Sequence, residues 1–414
     1  MWGTSMIEII IGAIALIALV SIALEDVFHF NKAKTTLFLG CLSWVILFIH
    51  ESSLGRSEHI QEVLNENLLD IASLWLFLMA TMTFVAYLNA RGMVSAIVQR
   101  ILPTELSFRQ LTILLGVFAM LLSMVCDNIT ATLVCIGVVQ AFQLEPKERI
   151  RLCVILVFAV NSGGVILITG DVTTLMIFSA GHVTIGQLLK LVMPVIGGVA
   201  LLIFLLSMGA NRRVVAENAT HDIQWLDMLI GGIFISTIVA TMVFNLLFDI
   251  PPVLTFLFGL SIMFMVGGIV HTFNEQIHLL QYIRQIQFET LLFFLGILLL
   301  VGALKEVGVL VALTELYAAV DPSFSSYLMG VISSIMDNVP LTAALLKAEP
   351  QLNATQWLSL TYAVGIGGSI LVIGSAAGIV AMSKVKELTF MQYARYAPHI
   401  LAAYSVGYGL TLLL

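Results

Sequence analysis

Apolar runs long enough to cross a lipid bilayer recur along the whole of this 414-residue chain, and no other feature constrains its fold as tightly. One helical crossing takes about 20 apolar residues, and a spanning segment must satisfy its own backbone hydrogen bonds. Ten such spans are predicted, near 5–24, 33–50, 68–88, 151–180, 186–208, 225–247, 252–270, 287–304, 355–382 and 398–414. Only 10% of residues are charged and 60% are hydrophobic, whereas soluble domains carry roughly a quarter charged residues. A water-facing surface cannot be built from this composition. The chain therefore reads as an all-α polytopic membrane protein with the lipid bilayer as its partner. No basic run interleaved with aromatics occurs, so nucleic acid is not expected to bind. The first span lacks a basic flank and a small-residue cleavage site, which suggests a retained helix. Cys41, Cys126, Cys135 and Cys153 lie in apolar segments without CxxC spacing, so reduced packing roles are expected.

Two further apolar segments, 108–142 and 324–347, carry an Asp-Asn pair in their middle. The limbs of the second are too short to cross, which points to a re-entrant helical hairpin with Asp337-Asn338 at its tip. The limbs of 108–142 are longer and leave a double crossing open. Either form returns the chain to the same side. With the N-terminus outside, 14 of the 18 Lys and Arg fall in cytoplasmic loops and only Arg56, Lys190, Lys305 and Lys347 outside. Ten spans then place both termini outside. The acidic stretch Glu51–Glu66 reads as solvated outer loop.

An internal repeat organises the chain. Ser123-Met-Val-Cys-Asp127-Asn128-Ile-Thr-Ala-Thr132 matches Ser333-Ser-Ile-Met-Asp337-Asn338-Val-Pro-Leu-Thr342 at an offset of 210. Asn161-Ser-Gly163-Gly164 through Gly170-Asp171 matches Gly365-Ile-Gly367-Gly368 through Gly374-Ser375 at an offset of 204. A short amphipathic stretch (92–101, 305–320) precedes each hairpin. By the charge count the hairpins enter from opposite faces, so the expected fold is an inverted repeat with two re-entrant hairpins and two broken transmembrane helices. The chain divides into N-terminal scaffold helices (1–67), a first repeat (68–208, with hairpin 108–142 and broken span 151–180), connecting transmembrane helices (209–286) and a second repeat (287–414, with hairpin 324–347 and broken span 355–382).

A carboxylate within a membrane is expensive, and function is its default reading. Asp127 and Asp337 sit at hairpin tips, followed by Asn128 and Asn338 and, five positions on, by Thr132 and Thr342. Asp171 lies in a glycine-broken span with Asn161 before it and Thr173 and Thr174 after it. Ser123, Ser333, Ser369 and Ser375 add small hydroxyl groups in the same segments. Short uncharged oxygen donors beside carboxylates suit a hard monovalent cation and a proton. The competing reading of the hairpin aspartates is that each caps the second limb. For Asp171 it is a polar residue at the end of a broken span. All eight histidines fall at span ends or in loops, and no buried base accompanies Ser369, so enzyme chemistry is not expected. No Lys or Arg lies beside the polar clusters, which leaves an anion only helix N-termini to bind.

The segments Asn161-Ser-Gly-Gly to Gly170-Asp171-Val-Thr-Thr174, Asp337-Asn-Val-Pro340 and Gly367-Gly-Ser-Ile-Leu-Val-Ile-Gly-Ser-Ala-Ala-Gly378 closely resemble NhaD-type sodium/proton antiporters of the ion transporter superfamily. Ala23-Leu-Glu25 and Phe30-Asn-Lys-Ala33 fit the same family, so the likeness runs nearly end to end. It implies a scaffold and a moving transport region, a homodimer, and exchange of Na+ (or Li+) for H+ across a bacterial inner membrane, without a cofactor. The ion would be held at Asp127, Asp171 and Asp337. The alternative is an ion-coupled anion or oxyacid transporter of the same superfamily.

Overall fold

The structure, a computed structural model, describes residues 6–23, 31–93, 105–208, 212–215, 224–273, 279–286 and 288–414. Most of the amphipathic stretch 92–101, part of the 209–286 connection and part of the N-terminal Ala23–Ala33 likeness lie outside these residues. The chain opens with α1 (Met6–Ala23), α2 (Lys32–Ser53) and α3 (Ser57–Ala90). A strand β1 (Glu105–Ser107) leads into α4 (Phe108–Val125), α5 (Asn128–Ala141), α6 (Pro146–Gly164) and α7 (Val172–Ser179). Then come α8 (Ile185–Leu188), α9 (Val192–Ser207) and β2 (Arg213–Val215), which pairs antiparallel with β1. The remaining helices are α10 (Trp225–Phe248), α11 (Pro252–Phe273), α12 (Phe288–Glu306), α13 (Val311–Ala319) and α14 (Pro322–Ser333). Last are α15 (Asn338–Ala348), α16 (Ala354–Gly367), α17 (Ala376–Lys384), α18 (Phe390–Ala394) and α19 (Ala397–Thr411).

Seven helical segments among the described residues are long and apolar enough to cross a membrane. Six coincide with predicted spans; the seventh is α4, the first limb of the 108–142 segment. The spans expected to be broken are interrupted. One is divided into α6 and α7, the other into α16 and α17 with a 3-10 turn at Val372–Gly374 between them. The protein is an integral, multi-pass, helical membrane protein.

Two expectations need correction. The predicted span at 68–88 begins eleven residues earlier, because α3 runs 34 residues from Ser57. At 1.5 Å per residue it is about 50 Å long, well beyond a hydrocarbon core of about 30 Å. Glu58, Glu62 and Glu66 therefore lie on the acidic first turns of a helix longer than one crossing needs, rather than in a loop. Glu51 lies in the last turn of α2, is buried, and pairs with Arg56 at 2.7 Å. The stretch 305–320 holds the end of α12, a turn at Gly308 and the short helix α13, in the expected place before the second Asp-Asn segment.

Local chemistry explains where the helices start. Ser107 and Gln110 form a reciprocal cap on α4, as Asn353 and Gln356 do on α16. Pro146 and Pro322 occupy the first helical positions of α6 and α14, where no backbone N–H is needed.

Packing sorts most of the helices into two groups, which meet where α12 packs on α15. α1, α2 and α12 pack together, and α3 packs on α11 and α12. The other group pairs α4 with α6 and α14 with α16, then joins the halves crosswise: α5 lies on α17, and α15 on α7. Thus the second limb of each Asp-Asn segment packs on the broken span of the other half. Equivalent glycines permit the tight approach within each half. A Cβ on Gly163 would fall 2.0 Å from the Met120 carbonyl oxygen, and one on Gly367 2.0 Å from that of Gly330. These contacts preserve the sequence offsets of 204 and 210.

Candidate functional site

Four helices start beside one another, each with an oxygen acceptor at its cap. Asp127 caps α5: its Oδ1 accepts from the N–H groups of Ile129 (3.1 Å) and Thr130 (3.0 Å), and its Oδ2 from the Thr130 hydroxyl (2.8 Å). Asp171 caps α7 by accepting from the Thr173 N–H at 3.0 Å. Asp337 caps α15 through the Val339 N–H at 3.1 Å, and Ser375 caps α17 through the Gly378 N–H at 3.3 Å. The capping reading therefore holds geometrically for Asp127 and Asp337, and for Asp171 as well. Capping leaves the second carboxylate oxygen of Asp171 available for other partners.

That oxygen is where the halves meet. Asp171 Oδ2 accepts from Asn128 Nδ2 at 3.0 Å and from Asn338 Nδ2 at 3.3 Å. Asn128 Nδ2 also donates to Asn161 Oδ1 at 3.3 Å, and Asn128 Oδ1 accepts from the Ser123 hydroxyl at 2.7 Å. Asn161 Nδ2 donates to Ser375 Oγ at 2.9 Å. Six of the residues singled out in the sequence, four from the first half and two from the second, form one connected network. Gly164 is required beside it, since a Cβ there would lie 2.7 Å from Asn128 Oδ1 and 3.1 Å from Asp171 Cβ. Asp171, Asn161 and Asn338 are buried, whereas Asn128 and Asp127 are half-buried.

The other expected residues divide into two sets. Thr132 and Thr342 donate to the carbonyls of Asn128 and Asn338 at 2.7 and 2.8 Å, Ser333 donates to the Val364 carbonyl at 2.8 Å, and Ser369 donates to the Ile366 carbonyl. Their hydroxyl hydrogens brace backbone and take no part in the network. Thr173 and Thr174 differ: both hydroxyls are buried without a hydrogen bond of acceptable geometry. Ser162, next to Asn161, is in the same condition. A buried polar atom in that state calls for an explanation such as a water or ion. Ser162 was passed over in the sequence, although it lies within Asn161-Ser-Gly-Gly. Thr130, which anchors Asp127, was also missed; it stands at the usual capping distance.

Asp337 is brought beside Asp171 by its neighbour Asn338, whose Nδ2 lies 3.3 Å from Asp171 Oδ2. Asp127 is engaged by the N-terminus of its own helix. Among the described residues, no three His, Cys, Asp or Glu side chains cluster as a metal site. Asp127, Asp171 and Asp337 each cap a helix start, and Asp171 in addition turns its second oxygen to the asparagine amides of both halves. Among the described residues, what Asp171 Oδ2 meets is amide, and no Lys or Arg side chain is bonded to it.

An integral membrane protein whose broken helices converge on a buried carboxylate is organised as an ion transporter rather than an enzyme. A family model described as citrate transporter matches residues 2–367. The chain is 30% identical to the Na+/H+ antiporter NhaD of Vibrio cholerae, over 96% of this chain and 90% of that protein. It is 28% identical to the Na+/H+ antiporter NhaD of Alkalimonas amylolytica, over 97% of this chain and 89% of that protein. Sodium/proton antiporter 1 of Arabidopsis thaliana is 28% identical over 93% of this chain and 69% of its own length. The chain belongs to the citrate transporter family and, within it, to the NhaD-type antiporters.

Proposed function

We propose that the protein exchanges Na+ (or Li+) for H+ across a bacterial inner membrane, the two ions competing for buried carboxylate oxygen. The observation that carries this reading is Asp171 Oδ2 held between asparagine amides from both halves of the chain. Away from water a bare carboxylate is disfavoured, so it is stable protonated or paired with a cation. On cation entry Asn128 and Asn338 would turn their carbonyl oxygens inward, and Thr173, Thr174 and Ser162 would supply hydroxyl oxygens that otherwise have no partner. Asp127 and Asp337 set the balance of charge. Each of the four converging helix N-termini carries about half a positive charge. Three ionised aspartates exceed that sum by about one negative charge, which suits one monovalent cation or one proton. The repeats are inverted, with the two Asp-Asn segments re-entering from opposite faces and both termini outside. Alternating access moves the Asp-Asn segments and broken helices (α4–α7 and α14–α17) against the scaffold, in a homodimer.

The expected result in proteoliposomes is that Asp127→Asn, Asp171→Asn and Asp337→Asn each remove Na+-driven proton movement from folded protein. In the wild type, one-for-one competition means that a tenfold rise in H+ raises the half-saturating Na+ about tenfold once the site is mostly protonated. Full exchange by all three variants would refute the assignment. The citrate-transporter description of the matching family favours a second reading, cation-coupled anion transport. The same net negative charge, with no Lys or Arg among the site residues, opposes an anion. Dissipation of a pH gradient by NaCl with no organic anion present separates the two.

A further inference from the structure

A cavity of about 1260 Å3 opens between the two groups of helices and reaches towards the Asp171 site. One wall is α3 and α12; the other is α7, α15 and the turn after α15. Its lining includes Met176 on α7 and Ala343 on α15. These lie five residues beyond Asp171 and Asn338, about 7.5 Å along each helix at 1.5 Å per residue. At the mouth, two ion pairs cross from wall to wall. Lys347 on α15 meets Asp70 on α3 at 3.0 Å, and Lys305 on α12 pairs with Glu349 just after α15. Glu66 and Glu306 also line the mouth, giving four carboxylates there against two lysines and His182. At the opposite end of the site the helices are tied together. α5 packs on α17, Gln140 on α5 donates to the Lys384 carbonyl at 3.2 Å, and Arg149 on α6 pairs with Glu387.

We infer that this cavity is the aqueous route by which ions reach Asp171 from one face of the membrane, and that the Asp70–Lys347 and Lys305–Glu349 pairs latch α15 to the framework in that access state. The inference rests on the transport reading above and adds to it a pathway and a device. Both pairs are partly solvent-exposed, and such pairs each contribute little. They matter because two access states of a carrier differ by only a few kcal/mol, so a small bias alters their populations. The mouth is also where charge helps: a cleft with excess carboxylate concentrates cations before they enter.

The test is cysteine labelling in membranes, which requires no transport. The four native thiols are unpaired and are replaced by Cys41→Ser, Cys126→Ala, Cys135→Ala and Cys153→Ala. Met176→Cys is then exposed to a charged, impermeant maleimide in right-side-out and everted vesicles. Glu62→Cys on the acidic end of α3 marks one face and Gln140→Cys the other. Met176→Cys is expected to react from the same face as Glu62→Cys. Lys347→Gln should slow that reaction about two- to fivefold, the scale of one exposed ion pair. Asp70→Asn removes the same pair from the other wall and should match it, and Asp70→Lys with Lys347→Asp should restore the rate. Reaction of Met176→Cys from the Gln140 face, or from neither face, would overturn the route. An unchanged rate in both Lys347→Gln and Asp70→Asn would overturn the latch. Loss of Na+/H+ exchange in the unsubstituted protein with this labelling pattern intact would count against the proposed function and leave the route standing.

Discussion

Asn128 occupies a position that neither Asp nor Gln could fill without loss. Its amide nitrogen donates to Asn161 and Asp171 while its carbonyl accepts from Ser123. An Asp has no donor, and a Gln would carry an extra methylene into the space that Gly164 keeps open. Thr174 poses the opposite case, a buried hydroxyl with no partner. Leaving such a group unsatisfied costs about 1–3 kcal/mol. Thr174→Val keeps the shape and removes the hydroxyl, so in Na+-free detergent it should raise the melting temperature. Should the hydroxyl be a cation ligand, the same substitution must weaken Na+ binding. The Na+-induced rise in melting temperature, which follows the ratio of ion concentration to Kd, should therefore shrink. Thermal unfolding with and without NaCl reads both effects. A variant neither stabilised without Na+ nor impaired with it would remove Thr174 from the site. The residue types at the site were legible in the sequence because polar groups in apolar runs are rare. Their pairing was not: nothing in the chain order says that Asn161 should reach Ser375, 214 residues away.

At the scale of elements, both broken spans were legible from their glycines. Their structural counterparts, α6 with α7 and α16 with α17, break just after Gly164 and Gly367. The glycines also set how closely α14 and α16 cross, since Gly367 lies against the backbone of Gly330. Gly367→Ala would force a methyl group into the Gly330 carbonyl, and backbone cannot turn aside as a flexible side chain can. Overpacking of this kind costs about 1–3 kcal/mol. The variant should melt lower than wild type, and Gly137→Ala, where a Cβ meets nothing within 4 Å, should not. Equal melting temperatures for the two would show that the crossing relaxes freely. The early start of α3 escaped the sequence reading because its first turns are acidic, and the apolar period used to find spans is silent there. The pairing of β1 with β2 was invisible for a related reason: three-residue strands 108 positions apart leave no pattern to read.

Across the whole molecule, the framework has its own polar anchor, far from Asp171 in sequence. Asp227 at the start of α10 is buried and accepts from the Tyr87 hydroxyl at 2.7 Å and from Arg91 Nε at 2.7 Å. Arg91 Nη2 adds a bond at 3.3 Å and the Gln224 N–H a fourth at 3.0 Å, so the carboxylate is fully engaged. Arg91 reads in sequence as one more solvated loop cation; instead it closes α3 onto α10. Arg91→Gln would leave a buried carboxylate with hydrogen bonds and no counter-charge. Breaking a buried pair costs roughly 3–5 kcal/mol, and Arg91 is part-exposed, so the lower end applies. The proposed division into a framework and an ion-handling group then makes a strong demand. Arg91→Gln should lower the melting temperature yet keep Na+/H+ exchange per folded molecule, since among the described residues no framework side chain hydrogen-bonds to the Asp171 network. Asp171→Asn should do the reverse, abolishing exchange in protein that stays folded. Measuring both properties on both variants tests whether stability and transport reside in different helices. If Arg91→Gln silenced exchange in protein that remained folded and bound Na+, the framework would have to move with the ion.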